Sequence, residues 1–515
     1  MHLSAQSGKM YARQTMNKIY HNPFGWSGDE EDAIYHEQIL PMYQDNPLIE
    51  ALPPIRPSVE VFRNLTKFPP MKSEYRLFPA EERLHLIRCI DQFFQPLPRH
   101  GRLFSDICGM IYKGYIARNP LSKGFWKTLD GNVDKLVVNL RQKNHIAYRK
   151  SATTMSLIGI SGIGKSRSLE EVLSLFPQII NHHTYRGVPF PWKQLVWLKL
   201  ECPHNGSTRS LGLAFFEQID WILGTNYMHG YARNGRATEM ELLKNMARVG
   251  AIHSLGVLVI DEIQALSQAK SGGAEEMLNF FVELVNTLGL PIILIGTYKA
   301  QKLFSQAFRQ ARRANSYGGD SWDRMKVDED WKLFLETLWQ FQYTKHPVKL
   351  TDRLAETLYD LSQGITDIAI KVFILGQTLA IRTGEERLSP ELLITASERA
   401  LSMVQPFLTA LRTNNMDQFM LMEDIQPINL EIALNDLNSI YTNQQSLEPH
   451  LDSNESLSKR ALGIDLAIDS SSVDAYDQLK QQNLISDISS DLSFLSRNGK
   501  EESNEASTEK EESEK

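Results

Sequence analysis

The stretch Gly159-Ile160-Ser161-Gly162-Ile163-Gly164-Lys165-Ser166 constrains this chain more than any other part of it. It fits the pattern G-x-x-x-x-G-K-[ST], in which glycines let the backbone curl until successive N–H groups point inward at phosphate oxygens. Gly159, Ser161, Gly162, Ile163 and Gly164 would form that cradle, with Arg167 just beyond it in the first helical turn. Lys165 would reach the β- and γ-phosphates, and the Ser166 hydroxyl would ligate Mg²⁺. The flanks agree. Met155-Ser156-Leu157-Ile158 reads as a buried strand, and Ser168 to Phe176 has helical spacing, so the phosphates would sit at a helix N-terminus. A chance Gly-rich turn would not carry both neighbours.

A phosphate cradle binds; hydrolysis needs a carboxylate pair. Val257-Leu258-Val259-Ile260 is an apolar strand that ends in Asp261-Glu262. Asp261 would hold the Mg²⁺ shell, and Glu262 would orient and deprotonate the attacking water. Thr297 ends a further apolar strand, Pro291–Ile295, where its hydroxyl would sense the γ-phosphate or else bond its own loop. Arg309, Arg312 and Arg313 form the densest basic cluster of the body. They read as arginines offered to a neighbouring subunit's γ-phosphate, or as a solvated helix end.

The rest of the chain falls around this core. Prolines 41, 47, 53, 54 and 57 make residues 1–75 irregular, a partner-docking region in which Asn46–Pro54 would dock on a partner or strap its own domain. Residues 76–150 read as a helical subdomain, with helices at Glu81–Ile90, near Leu103–Ile116, and around Leu136–Val138. In residues 151–330 apolar strands, with Leu195–Leu200 as the second, alternate with helices at Leu211–Leu223, Thr238–Ile252 and Ala274–Leu288. That alternation implies a parallel sheet covered by helices on both faces, with ligand at the strands' carboxyl ends. Residues 331–426 read as an all-helical lid, with Thr351 and Ser389 as N-caps, Pro390 at a first helical position and Gly364 as a terminator. Residues 427–515 would be a mostly disordered acidic tail carrying short docking segments at Ile428–Leu437 and Ala461–Leu466.

Charge sharpens that division. Of a net −7, residues 431–515 carry −11 (18 acids against 7 Lys+Arg), which leaves the body at +4. A mildly basic body permits nucleic-acid contact without demanding it. Two loops are placed to touch DNA: Asn205, Ser207, Thr208 and Arg209 after the second strand, and Lys270 and Ser271 after the Asp-Glu pair. Neither interleaves base-reading side chains with aromatics, so contact would be to backbone phosphate without sequence preference; the alternative is ordinary surface loops. The three cysteines, Cys89, Cys108 and Cys202, give neither a disulfide framework nor metal-ligand spacing, which suits a reducing cytoplasm. No signal-peptide pattern opens the chain, and no apolar run approaches the roughly 18 residues of a membrane span.

The order of these parts resembles AAA+ ATPases. More narrowly, several strings resemble the TnsC family, AAA+ regulators of multi-component cut-and-paste transposons. They are Asp45–Pro54, Phe94-Gln95-Pro96-Leu97, Gly114–Pro120, His204-Asn205-Gly206-Ser207, Leu258–Gln264, Ser271-Gly272-Gly273 with Glu276–Val282, Ala311-Arg312-Arg313 and Leu338-Trp339-Gln340. The resemblance spans residues 43–415 and implies an AAA+ P-loop NTPase fold. It also implies ATP and Mg²⁺ as cofactors, a homo-oligomer (ring or filament) on double-stranded DNA, and a link between a target-site selector and transposase subunits. The setting would be a bacterial-type cytoplasm, at the nucleoid when on DNA. The resemblance assigns Lys165, Ser166, Asp261 and Glu262 to nucleotide, and Asn205–Arg209 with Ser271 to DNA. Many AAA+ lids carry an arginine in the helix after Gly364; Gly364-Ile365-Thr366-Asp367 has none, and Lys371 lies one turn further on. A replication-initiator or helicase-loader ATPase, and a P-loop signalling scaffold that never meets DNA, are the rival expectations.

Overall fold

The computed structural model describes residues 28–123, 125, 127, 131–135, 138, 154–231, 237–268, 273–300, 320–413 and 430–434. All belong to one compact unit, residues 1–443. Lys270, Ser271, Arg309, Arg312, Arg313 and the acidic tail beyond residue 434 lie outside the described residues.

In chain order the elements are β1 (Glu30–Asp32), α1 (Ser58–Leu65), α2 (Ala80–Arg88), α3 (Pro98–Ile116), β2 (Thr154–Gly159), α4 (Lys165–Leu173), β3 (Ile179–Tyr185), β4 (Val188–Leu195), β5 (Trp197–Glu201) and α5 (Thr208–Leu223). Then come α6 (Glu239–Ile252), β6 (Val257–Asp261), α7 (Gly273–Glu283), β7 (Ile292–Gly296), β8 (Asp320–Trp322), α8 (Glu329–Leu338), α9 (Asp352–Ser362), α10 (Thr366–Arg382), α11 (Pro390–Ala400) and α12 (Gln405–Arg412). Single helical turns at Pro47–Glu50 and Tyr227–Gly230, short 3₁₀ segments and a π-helical turn at Leu284–Leu288 complete the list among the described residues.

The main sheet has the order β5-β6-β7-β2-β8, and every pairing in it is parallel. Two of its central strands, β6 and β7, are buried at every position because both faces are covered, whereas burial alternates along β2. In β6, Val257 and Val259 join one core and Leu258 and Ile260 the other. The first core continues into α3, α4 and the helices after residue 329; the second into α5, α6 and α7. Fully enclosed rings such as Phe215, Phe216, Phe280 and Phe281 each contribute about 1.5–3 kcal/mol.

The four expected core strands are present, with one correction. The run Leu195–Leu200 is not one strand. Leu195 ends β4 of a second sheet, and Trp197 begins β5 of the main one. The backbone changes sheets at Val196, whose N–H donates to Gln178 O at 2.8 Å while its own carbonyl accepts from Val257 N at 3.0 Å. An unbroken apolar run hides such a handover.

The second sheet, β1-β3-β4, is absent from the sequence reading. β3 and β4 form a hairpin closed by Arg186 (φ 49°) and Gly187 (φ 81°), a left-handed pair of the type I′ kind. The prolines of residues 1–75 precede helices more than they break them: Pro57 stands at the N-cap of α1. Asn46–Leu52 straps its own domain. Leu48, Ile49 and Leu52 are fully buried, and Asn46 Nδ2 donates to Tyr115 O at 2.9 Å.

In the helices after residue 329 the expected caps are present. Thr351 Oγ1 accepts from Leu354 N at 3.3 Å, and Ser389 Oγ from Leu392 N at 3.2 Å, with Pro390 opening α11. α9 stops at Ser362, and two left-handed residues follow, Gln363 and Gly364. α10 packs on α2, locked by a buried fork between Arg83 and Glu386 at 2.6 and 2.7 Å. Among the described residues no single helix is long and apolar enough to cross a membrane.

Candidate nucleotide-binding site

The site starts where β2 ends. After Gly159 the chain turns through Gly162 (φ 78°) and Gly164 (φ 89°), and Gly164 caps α4 from a left-handed conformation that side chains resist. Lys165 opens α4, buried, with Nζ donating to the Gly159 and Ile160 carbonyls at 2.8 Å each. Around this loop lies a cavity of about 290 Å³. Its walls come from three places: the loop Ser161–Ser168, the strand ends Asp261, Glu262, Gly296 and Thr297, and flanking segments that include Phe94 and Leu97 on one side and Asp367, Ile368 and Phe407 on the other. The expected cradle residues and the expected acid pair therefore meet in one place.

Thr297 stands at the end of β7, and β7 lies between β6 and β2 in the sheet. Its hydroxyl is buried with no hydrogen-bond partner among the described residues. An orphaned donor at the rim of a phosphate loop fits a γ-phosphate oxygen or the water beside it. The donor set fits a hard cation too, since Asp261 offers a buried carboxylate and Ser166 a hydroxyl to the same cavity.

Asp261 is held by a cation the sequence reading missed. Lys199, on β5, lies 3.0 Å from Asp261 Oδ2 and 2.5 Å from Glu170 Oε1 of α4. Burial alone would lower the Lys199 pKa, but Asp261 and Glu170 outweigh it and hold it above the ordinary value. A lone charge inside Leu198-Lys199-Leu200 was the visible signal.

Glu262 sits at φ 55°, and its N–H donates to Asp261 Oδ1 at 2.9 Å. Loss of hydration in the cleft raises its pKa, and Asp261 adds to that; the Gln264 amide and the Lys165 cation oppose it. Gln264 Nε2 donates to the Glu262 carboxylate, and its Oε1 accepts from Thr297 N at 3.2 Å.

Flanking helices brace the loop. His100 is buried; loss of hydration, with Arg99 adding to it, depresses its pKa to about 3. Its Nδ1 accepts from Leu97 N at 2.7 Å, so the proton resides on Nε2, which donates to Ser168 Oγ at 3.1 Å. The Arg167 guanidinium donates to Asp91 O at 2.8 Å. From the lid side, Asp367 N donates to Gly162 O at 3.2 Å. Lys371 does not line the cavity; its Nζ is bound to Asp367 Oδ2 at 2.7 Å. The lid thus meets the phosphate loop through backbone.

The first expected DNA loop is tied into the fold by its own side chains. Asn205 Oδ1 accepts from Ser207 N at 3.0 Å, and Ser207 caps α5. The Thr208 hydroxyl is bonded to Glu239, and the Arg209 guanidinium to the Ala237 carbonyl. Cys202 N donates to Asp261 O at 2.8 Å, so this loop leaves the sheet directly beside the acid pair.

Residues 148–304 match the family model described as AAA domain. No curated protein sequence matches the chain. Among solved structures, the chain is similar to the Aeropyrum pernix ORC2 protein in ADPNP-ADP complexes, at 13% identity over 64% of this chain and 86% of that one, TM-score 0.32. It is similar to the Aeropyrum pernix ORC1 protein in complex with DNA, at 14% identity over 61% and 82%, TM-score 0.33. Drosophila ORC bound to DNA matches at 12% identity over 77% and 85%, TM-score 0.35. The domain match, the sheet order and the phosphate loop at the end of β2 make this an AAA+ P-loop fold, in general terms a nucleotide-hydrolysing ATPase.

Proposed function

We propose that the chain binds and hydrolyses ATP to regulate transposition: it assembles as a homo-oligomer on target double-stranded DNA and couples a target-site selector to the transposase, and hydrolysis times its release. The observation that carries the ATPase half is convergence. Lys165 and Ser166 of α4, Asp261 at the end of β6, Glu262 just after it, and Thr297 after β7 all line one cavity.

Each residue has a distinct task there. Gly162 and Gly164 aim backbone N–H groups at phosphate oxygens, and Lys165 adds a cation at the β- and γ-phosphates. Ser166 and Asp261 would hold Mg²⁺, which when bound neutralises charge on the β- and γ-oxygens. Glu262 accepts a proton from the attacking water, and its raised pKa moves it toward the useful range for a base. Thr297 offers its hydroxyl to the γ-phosphate. Arg309, Arg312 and Arg313 are proposed to complete the pocket of a neighbouring subunit, so that hydrolysis depends on assembly.

The DNA and transposition half rests on the strings that resemble TnsC, with Asn205, Ser207, Thr208, Arg209, Lys270 and Ser271 as backbone-phosphate contacts. The Cys202–Asp261 bond supports it by placing that loop against the nucleotide site. A gel shift on random-sequence duplex with and without ATP tests the reading. Binding should need ATP, fall steeply with salt and disappear in Lys165→Ala. Duplex binding that Lys165→Ala retains, or that ignores ATP, would overturn it; recruitment of a helicase and no transposase would move the chain to replication loading.

A further inference from the structure

We propose that Gln264 is a positioning residue of this site: its amide ties the Glu262 carboxylate to Thr297, so that the base is held by the strand end whose hydroxyl faces the γ-phosphate. The proposal rests on the ATPase reading above and adds a residue and a coupling to it.

The orientation of the amide is not arbitrary. Thr297 N–H can only donate, so it takes Oε1, at 3.2 Å. Nε2 is then left facing the Glu262 carboxylate, which can only accept when ionised. Rotating the amide would set oxygen against oxygen on one side and N–H against N–H on the other. Both contacts therefore fix one orientation, and Gln264 becomes a rigid link between two site residues.

Glu262 needs such a link. Its backbone is left-handed at φ 55°, a conformation that residues with a side chain rarely adopt. Glu262 is exposed, and among the described residues the Gln264 amide is the side chain that donates to its carboxylate. The seat of the link is built into β7. A Cβ on Gly296 would lie 2.9 Å from Gln264 Oε1 and 2.6 Å from Ile263 Cγ2, so the glycine before Thr297 is what admits the amide.

The last observation gives the link a direction. Thr297 has committed its N–H to Gln264, while its buried hydroxyl has no partner. A γ-phosphate that engages the hydroxyl acts on the same residue that anchors the amide, and through it on the base. Nucleotide contact at Thr297 and placement of Glu262 are thus one mechanical unit.

The test compares wild type, Gln264→Ala, Gln264→Met and Gln264→Glu in the full chain. Steady-state ATPase gives kcat and KM, and titration with mant-ATP gives affinity and serves as the folding control. All three variants should bind mant-ATP within about two-fold of wild type, keep KM, and lose kcat about ten-fold or more. Gln264→Glu, which still accepts from Thr297 but turns an oxygen on Glu262, should fall at least as far as Gln264→Ala. Wild-type kcat in Gln264→Met would show that filling the space suffices and would overturn the proposal. So would a loss of mant-ATP affinity that matches the loss of kcat. If wild type itself binds mant-ATP but turns over no ATP, the ATPase reading fails first and takes this one with it.

Discussion

Lys199 Nζ lies 3.0 Å from Asp261 Oδ2 and 2.5 Å from Glu170 Oε1, so one cation on β5 neutralises the carboxylate proposed for the metal and one on the phosphate-loop helix. Lys199→Met leaves two carboxylates facing an apolar side chain. Breaking a buried pair from one side is costly, and the 15% exposure of Lys199 places the loss near the low end, about 2 kcal/mol. A bound Mg²⁺ can restore part of the missing charge. The variant should therefore gain more melting temperature from Mg·ATP than wild type does. An unchanged melting temperature without ligand would show that the triad contributes nothing.

The lid meets the phosphate loop where Asp367 N donates to Gly162 O, and one turn along the same helix Lys371 Nζ is bound to Asp367 Oδ2. Asp367→Asn strips the buried Lys371 ammonium of its countercharge. With the Asp367 side chain 36% exposed, screening limits the cost to about 1 kcal/mol. Mant-ATP affinity should change little, because the bond to Gly162 is made by the Asp367 backbone N–H, which the substitution keeps. Adding Lys371→Met should recover most of the stability, because the uncompensated cation is then gone. A double variant no more stable than Asp367→Asn would rule out the ion pair as the cause.

What was legible in the sequence divides along physical lines. The phosphate loop declares itself by its special glycines, and β6 and β7 by apolar runs that two-sided burial explains; β2 is marked by its place directly before that loop. The β3–β4 hairpin does not. Pro189 and Pro191 read as breakers, yet β4 is an edge strand, where a missing N–H is tolerated, and Arg186 is an unusual first residue for a left-handed turn. β8 is three residues long and polar at two of them, so no periodicity marks it. In the site, residue identities were readable but their wiring was not. Gln264 lies two positions past Glu262 in sequence, and only the fold brings Thr297 to its other end.

Arg83 and Glu386 predict an acid-sensitive join between α2 and the lid. Burial alone would raise the Glu386 pKa, but the Arg83 fork, the Lys345 N–H and both cations hold it below its ordinary value. A depressed carboxylate contributes stability that is complete above its unfolded pKa of about 4.3, and that stability is lost as pH falls through the folded value. Glu386→Gln should therefore cost about 2–3 kcal/mol at pH 7, since Arg83 is left buried without a counter-ion. The gap to wild type should narrow below about pH 4. Urea midpoints of both proteins at pH 7 and at about pH 3 measure this, and a gap constant across that range would contradict the sign.

Thr297 offers the sharpest separation of stability from function. Its hydroxyl is buried without a partner, which costs an unliganded protein about 1–3 kcal/mol relative to a side chain of the same shape with no polar atom. Thr297→Val keeps the β-branched shape of the strand end and leaves the N–H bond to Gln264 in place. Without nucleotide, the variant should be more stable than wild type by about 1 kcal/mol. With Mg·ATP the order should reverse, because the hydroxyl that repaid its burial by contacting the γ-phosphate is missing; turnover should fall about ten-fold or more. Paired melting curves with and without Mg·ATP, and one kcat, decide it. A variant less stable than wild type without ligand, yet equally active, would mean that the hydroxyl serves the fold and not the phosphate.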